Sequence, residues 1–417
     1  MIGVYAHHHG SGHLLRAFAV AAALDREVTI LTSATVADGT NPDPERITIL
    51  PLPMDHDGPG AVSDTPAPAA ARTAEPTAGG RLHWAPLGQP GLRRRMAMLA
   101  GWIDRHQPSV LWTDVSVEVT LAARLTGTPV VTTVLPGVRD DAPHALAHGV
   151  CSALVACWPR SVGAPVPAGA TGPLVPVGGV SRFAGRDPEP APRGAGRPRV
   201  LHLRGSGGDG RDRRWDAVRD ELTELEWVGL GGHGGRWVAD PWQELCSADV
   251  VISAAGQGSV ADLAAADAHV VAVPEERPFA EQDATAAQLD RLGLGAVVDR
   301  DAPVAEAVRA VRRTLERSRS TPGDGSGLRR AWEVDGDAPL VAAVRGMPWP
   351  GGDVQVFVHG EAETVMKHLR PYLRRERGVP SDRASISGYW RRGRTEEGFR
   401  TWKRELADSE PDPPPGR

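Results

Sequence analysis

Ser247–Ala266, SADVVISAAGQGSVADLAAA, is the stretch on which the reading of this chain turns. Asp249-Val-Val-Ile-Ser253 is a short apolar run rich in β-branched residues, the pattern of a strand buried on both faces. Two glycines then interrupt it, and Val260–Ala266 continues at helical spacing. The turn presents Gly256, Gly258 and Ser259 at a helix N-terminus, where unpaired N–H groups and the positive dipole end suit a diphosphate. Asp262, placed in the first turn of that helix, could accept from ribose hydroxyls or serve as a helix-start acid.

Working outward, the same alternation surrounds this unit. Arg199–Arg204 is a strand running into GSGGDG, Glu226–Leu230 and His269–Pro274 are further strands, and a helix is expected over Ala280–Leu292. The loop Val271-Ala-Val-Pro-Glu-Glu-Arg-Pro-Phe-Ala-Glu-Gln-Asp283 is dense in carboxylates and an amide, natural partners of sugar hydroxyls. The pattern also occurs earlier: Met1–Tyr5, then AHHHGSGH, then LLRAFAVAAAL, with strands at Val28–Thr32, Arg46–Leu52, Val110–Thr113 and Pro129–Leu135. Strands alternating with helices imply parallel sheets covered on both faces. The expected fold class is therefore α/β, with two Rossmann-like domains facing a cleft and a small C-terminal α/β appendage. The boundaries read as residues 1–165 and 175–317, a linker over 318–327, a segment over 328–405 and a disordered tail over 406–417. Pro53–Pro90, rich in Pro, Gly, Ala and Thr, reads as a long loop.

Composition narrows the classes. Forty-seven Lys and Arg against fifty-two Asp and Glu leave the 417-residue chain at −5, which argues against a nucleic-acid partner held by global charge. Three cysteines, Cys151, Cys157 and Cys246, are too few for a disulfide framework and fit buried thiols in a reducing, cytoplasmic setting. No leader or membrane-length apolar run is expected. Arg93, Arg94 and Arg95 beside Met96, Met98 and Leu99 could make a peripheral membrane contact, although a plain amphipathic helix is the simpler reading.

The first loop carries its own chemistry. Gly10, Ser11 and Gly12 let the backbone approach a ligand, and His13 can act as a general base on an acceptor hydroxyl. HGSGH lacks the third glycine of a dinucleotide fingerprint. His7, His8 and His9 invite a metal, but sequence neighbours rarely point at one ion, so no metal is assigned.

ADVVISAAGQGSVADLAAADAHVVAVPEERPFAEQDATAAQL resembles the C-terminal half of GT-B glycosyltransferases, glycosyltransferase family 28 and the peptidoglycan N-acetylglucosaminyltransferase above all. GVYAHHHGSGHLLRAFAVAAAL resembles the G-x-G-H-x-x-R-A start of related bacterial members, so the resemblance spans about residues 1–315. It implies His13 near the acceptor and reaction centre, Ser206 and Gly207 in the donor half's glycine-rich loop, Val238 meeting the nucleobase, and Gly256 and Ser259 at the phosphates. Asp262 stands where the family commonly has a ribose-binding Glu, and Gln282 matches the donor-sugar glutamine. Glu281 replaces the first of two glutamines and Thr285 the usual Asn. The activity implied is transfer from a nucleotide-diphosphate sugar, a UDP-sugar by preference, to the hydroxyl of a small-molecule or lipid-linked acceptor. It needs no metal or other cofactor, the helix N-terminus at Ser259 stabilising the leaving diphosphate.

From about Leu328 to Lys403, Gly360-Glu361-Ala362 and Ser387-Gly-Tyr-Trp-Arg-Arg-Gly393 resemble the C-terminal end of siderophore-interacting proteins, which are flavin- and nicotinamide-dependent reductases. A flavin-binding barrel of roughly 100 residues finds no room beside the glycosyltransferase pattern, so neither flavin nor NAD(P)H is expected. Arg391, Arg392 and Arg394 read either as a solvated basic face on a remnant or docking segment or as an anion or partner site. The rival readings are a non-catalytic nucleotide- or siderophore-binding protein, or a redox protein acting through this segment.

Overall fold

A computed structural model describes residues 1–24, 26–56, 67, 69–163, 166–188, 196–204, 214–232, 236, 238, 240–320, 327–332, 354–362 and 364–390. The chain forms two compact units, Met1–Val334 and Asp335–Arg417. The first unit holds both Rossmann-like halves.

In the first half the strands are β1 (Ile2–Ala6), β2 (Val28–Thr32), β3 (Ile47–Pro51), β4 (Leu111–Thr113), β5 (Val130–Val134), β6 (Ala153–Ala156) and β7 (Leu174–Pro176). Its helices are α1 (Gly12–Ala23), α2 (Ala69–Thr73), α3 (Pro90–His106), α4 (Val117–Leu125) and α5 (Ala142–Val150). All pairings are parallel, in the order β3-β2-β1-β4-β5-β6-β7. Every residue of β2 is buried, as an unbroken apolar run in a doubly covered sheet requires. Gly3 is obligatory in β1, since a Cβ there would meet Trp102 at 2.8 Å and Leu111 closer still.

The second half contains β8 (Arg199–Leu203), β9 (Glu226–Leu230), β10 (Val250–Ser253), β11 (Val270–Ala272) and β12 (Gly295–Val297). Its helices are α6 (Arg214–Glu221), α7 (Trp242–Ser247), α8 (Gln257–Ala265), α9 (Glu281–Arg291), α10 (Val304–Ser320) and α11 (Leu328–Trp332). The strands are again parallel, ordered β12-β11-β10-β8-β9. In both sheets the order reverses beside the first strand, between β1 and β4 and between β8 and β10. Ligands of open α/β sheets bind at the carboxyl ends of strands at such points.

Two expected boundaries move. Leu174–Pro176 is the last strand of the first sheet, with Val175 opposite Val155, so the second half does not begin at 175. The expected break before 328 is also misplaced. Trp332 is 2% exposed, and the Gly179 N–H donates to its carbonyl at 2.7 Å. A Cβ on Gly179 would lie 2.8 Å from the Trp332 ring, so the indole fills the space a side chain would take. α11 packs on α8, making it part of the second half's core. The Pro53–Pro90 stretch is not loop throughout, because it contains α2.

The second unit, where described, has β13 (Val356–Glu361) and β14 (Ala384–Trp390) paired in parallel and connected through two π-helical turns. Leu369, Tyr372 and Leu373 cover Val356, Val358 and Ile386. Arg391, Arg392, Arg394 and the 406–417 tail lie outside the described residues.

Removing the Trp332 indole should leave an unfilled core volume costing about 3–5 kcal/mol. Trp332→Ala should therefore lower the melting temperature of the full chain clearly, and a chain ending at residue 320 should melt lower than one ending at 334. Thermal denaturation of the four proteins measures this; equal melting temperatures would place α11 outside the core.

Candidate functional site

The loop after β1 turns at Gly10, whose φ of +70° favours glycine, and delivers the chain into α1 at Gly12. Ser11 is the N-cap residue, and no side chain caps the α1 N-terminus. His13 lies in the first turn. Its Nδ1 is 2.7 Å from Oδ2 of Asp114, the residue that follows β4 across the reversal point of the sheet. Arg16, one turn further along α1, reaches the same oxygen through Nε at 3.3 Å and Nη2 at 3.2 Å. Asp114 is 3% exposed. Burial pushes its carboxyl upward, but the Arg16 guanidinium and the His13 ring outweigh that and hold it well below the usual carboxylate range. An ionised Asp114 accepts the Nδ1–H of His13, which leaves Nε2 as the basic nitrogen.

Arg16 also joins the two halves. Its Nη1 donates to Oε1 of Gln257 at 3.2 Å. Gln257 is the first residue of α8, after Gly256 as N-cap. This contact brings the N-terminal part of α1, which carries His13, beside the first turn of α8, which carries Ser259. With its oxygen held by Arg16, Gln257 keeps a buried Nε2 that has no hydrogen-bond partner. A Cβ on Gly258 would meet nothing within 4 Å, and one on Gly256 would make only ordinary contacts with Gln282 and Ser259. Neither glycine is demanded by packing within the chain.

A second seam lies beside the first. Arg139 donates to Glu281 at 3.2 Å and stacks 4.7 Å from the Phe279 ring centroid. The Val138 N–H donates to the Phe279 carbonyl at 2.9 Å, while Gly137 has φ +100° and no room for a Cβ against that carbonyl. Asp141 caps α5 through the His144 N–H at 3.0 Å and accepts from His144 Nδ1 at 2.6 Å and His83 Nε2 at 3.1 Å. Burial pushes the His144 imidazole down to about 4 despite Asp141. Asp141 itself sits at about 2, because the His144 N–H and the His144 and His83 rings outweigh its partial burial.

Other expected residues divide. Gln282 is 6% exposed, its Oε1 accepting the Glu275 N–H at 2.8 Å, and its amide nitrogen faces the Gly256 turn. Val238 packs half-buried against the core. Ser206 and Gly207 lie outside the described residues. Asp262 needs correction. α8 begins at Gln257, two residues before Ser259, so Asp262 falls in the second turn and is no helix-start acid. Its carboxylate accepts from Ser181 at 2.7 Å and Arg182 at 3.0 Å, and both oxygens are committed within the chain. Arg95 and Leu99 are buried, Arg95 bonding to Ser33, Pro53, Tyr5 and Asp55, which removes them from any membrane-facing patch. Burial pushes the Cys151 thiol to about 12 and Cys157 to about 11, consistent with inert buried thiols. Among the described residues no helix is long and apolar enough to cross a membrane.

Asp114 escaped the sequence reading. Its signal is an acid directly after a short apolar strand, VLWTD. Arg16 lay within the quoted G-x-G-H-x-x-R-A pattern without an assigned role.

Residues 241–322 match the glycosyltransferase family 28 C-terminal domain, and residues 323–393 match siderophore-interacting protein. The chain is similar to uncharacterized proteins of Mycobacterium bovis and Mycobacterium tuberculosis, 42% identical over 185 residues, which is 43% of this chain and 56% of theirs. It thus spans about half the length of these curated relatives. The fold is that of GT-B glycosyltransferases. MurG of Acinetobacter baumannii superposes with a TM-score of 0.52 at 15% identity, over 83% of this chain and 99% of that one. Arabidopsis thaliana UGT89C1, solved with UDP-L-rhamnose, gives 0.53 at 14% identity, over 76% and 92%.

Two outcomes follow from the charges in this region. Asp262→Ala would remove the buried carboxylate on which Ser181 and Arg182 converge at 2.7 and 3.0 Å, and should destabilise the fold. A lowered melting temperature checks this. His144 is held neutral in the folded protein, so the unfolded chain binds more protons between the ordinary histidine value and about 4. Stability should fall as pH drops through that window, and Asp141 adds to the loss below the ordinary Asp value. The slope of melting temperature against pH should flatten in His144→Asn.

Proposed function

We propose that Met1–Val334 is a glycosyltransferase that moves a sugar from a nucleotide-diphosphate donor, a UDP-sugar by preference, to an acceptor hydroxyl. One observation carries this reading: His13 is oriented by buried Asp114, and Arg16, on the same carboxylate, reaches Gln257 at the first turn of α8. The family 28 match over 241–322 and the GT-B fold support it.

The chemistry divides between the walls. His13 Nε2 takes the proton from the acceptor hydroxyl as that oxygen bonds to the anomeric carbon, and ionised Asp114 stabilises the imidazolium that forms. The bond from the anomeric carbon to the diphosphate breaks, and its electron pair leaves with the phosphate oxygen. Free N–H groups at the start of α8, the unpartnered Gln257 Nε2 and the Ser259 hydroxyl are placed to receive that charge. Gly256 and Gly258 leave space for the diphosphate to approach the backbone. Gln282 lies next to this turn and is the residue positioned for the donor sugar. The acceptor hydroxyl is taken from the side of the first half, where His13 and Asp114 lie.

We further propose that the second unit, most of which lies in the match to siderophore-interacting protein over 323–393, is a docking segment that takes no step in the transfer.

The test separates chemistry from binding. His13→Ala should leave nucleoside-diphosphate affinity near wild type and lower sugar transfer by roughly a hundredfold or more. Asp114→Asn should act in the same direction by losing control of the imidazole tautomer. Gly258→Ala should do the reverse, weakening UDP binding in calorimetry while the melting temperature holds, since an added Cβ there meets nothing within 4 Å in the chain. Folded His13→Ala protein with turnover within a fewfold of wild type would remove His13 from the reaction.

A further inference from the structure

Arg16 decides which way the Gln257 amide points. A guanidinium offers only N–H donors, so the amide atom 3.2 Å from Arg16 Nη1 is the oxygen. Arg16 is not free to turn elsewhere. It is 8% exposed, and its Nε and Nη2 are held on Asp114 Oδ2 at 3.3 and 3.2 Å. With Oε1 taken on the Arg16 side, Gln257 presents Nε2, a donor, on the other. That nitrogen is buried and has no hydrogen-bond partner. An amide donor withdrawn from water without an acceptor is unfavourable, and packing alone does not return the cost.

The groups around that nitrogen are donors as well. Gln257 opens α8, whose N-terminus has no side-chain cap and no acidic residue in its first turn. The first N–H groups of the helix have no acceptor within it. Two carboxylates act on Arg16, Asp114 and Glu281. Asp114 Oδ1 is itself without a partner, so it does not accept from Gln257, and Glu281 accepts from Arg139 at 3.2 Å. A side-chain donor, free helix N–H groups and a guanidinium gathered at one place complement a group that carries several anionic oxygens.

We propose that Arg16 is a positioning residue for the nucleotide donor: by holding the Gln257 oxygen it aims the Gln257 amide N–H at the diphosphate. This rests on the transfer reading above and adds to it the polarity of one contact and the side chain that sets it. The guanidinium that fixes this contact also holds the carboxylate on which His13 depends, so one side chain orders a group on each half. A role confined to tying α1 to α8 makes a different demand on residue 257. Gln257→Glu keeps an oxygen for Arg16, makes that bond charge-assisted and adds an acid to the first turn of α8, all of which strengthen a tie. Its second oxygen, however, takes the place of Nε2 and repels a diphosphate. Gln257→Leu removes both ends of the amide.

The experiment titrates the full chain with UDP, dTDP and GDP in a calorimeter at neutral pH and records the melting temperature of each nucleotide-free protein. The two rank orders should run against each other. Melting temperature should be lowest in Gln257→Leu and at least as high in Gln257→Glu as in wild type. Affinity for the tightest nucleotide should fall about tenfold in Gln257→Leu and about a hundredfold or more in Gln257→Glu. Arg16→Lys, which replaces the fork by a point charge, should weaken nucleotide binding about as much as Gln257→Leu, and adding Gln257→Leu to it should cost less than about twofold more. If Arg16→Lys does not fold, the two Gln257 variants decide by themselves. Affinity in Gln257→Glu within about threefold of wild type, or a smaller loss there than in Gln257→Leu, would overturn the proposal and leave the transfer reading standing. Folded wild-type protein that binds none of the three nucleotides would overturn both.

Discussion

The site depends on one buried carboxylate. Asp114 stands at 3% exposure, where an isolated ionised group would cost several kcal/mol. It stays charged because Arg16 and His13 converge on a single oxygen, Oδ2. Each partner then inherits a constraint. His13 is fixed in ring orientation and tautomer, and Arg16 is left with one nitrogen to spend across the cleft on Gln257. The charge balance of the first half therefore also sets where the second half's helix begins to face it. Neutralising Asp114 would disturb the base and the bridge together, so the two roles cannot be separated at that residue.

The neighbouring seam works by backbone complementarity more than by charge. Phe279 and Ala280 have φ of 62° and 51°, a left-handed conformation that costs non-glycine residues about 1–3 kcal/mol each. The cost is offset where the Phe279 carbonyl accepts the Val138 N–H, where Gly137 leaves room for that carbonyl, and where Arg139, His83 and His144 pack around the ring. The turn that starts α9, and with it Gln282, is thus shaped by contacts from the first half. The Gln282 amide and the loop after β5 cannot be positioned independently.

What the sequence disclosed follows from the range of each interaction. The runs VVIS and MIGVY and the glycines after them are local, so both strand-turn-helix units could be read directly. Asp114 could not, since its meaning rests on a partner 101 residues away, and β4 is only three residues long. The start of α8 was displaced because Gly256 serves as N-cap where no Ser, Thr, Asp or Asn marks the position, and that shift moved Asp262 into the second turn. Its carboxylate then answers to Ser181 and Arg182, from a Pro/Gly-rich stretch that carries no periodic signal of its own.

The same principle explains why composition suggested a linker where the fold has a connection inside one domain. Thr321-Pro-Gly-Asp-Gly-Ser-Gly327 has every compositional mark of a spacer. Yet α10 runs to Ser320 before it, and α11 follows it with Trp332 buried against Gly179 and α8. Glycine and proline report that a segment need not be helix or strand; they do not report whether the elements on either side share a core. Here a single indole decides that question. The residues that open the match to siderophore-interacting protein thereby belong physically to the half that carries α8, the helix whose other end faces His13. A substitution at Trp332 would therefore act on α8 and its N-terminal turn through packing alone.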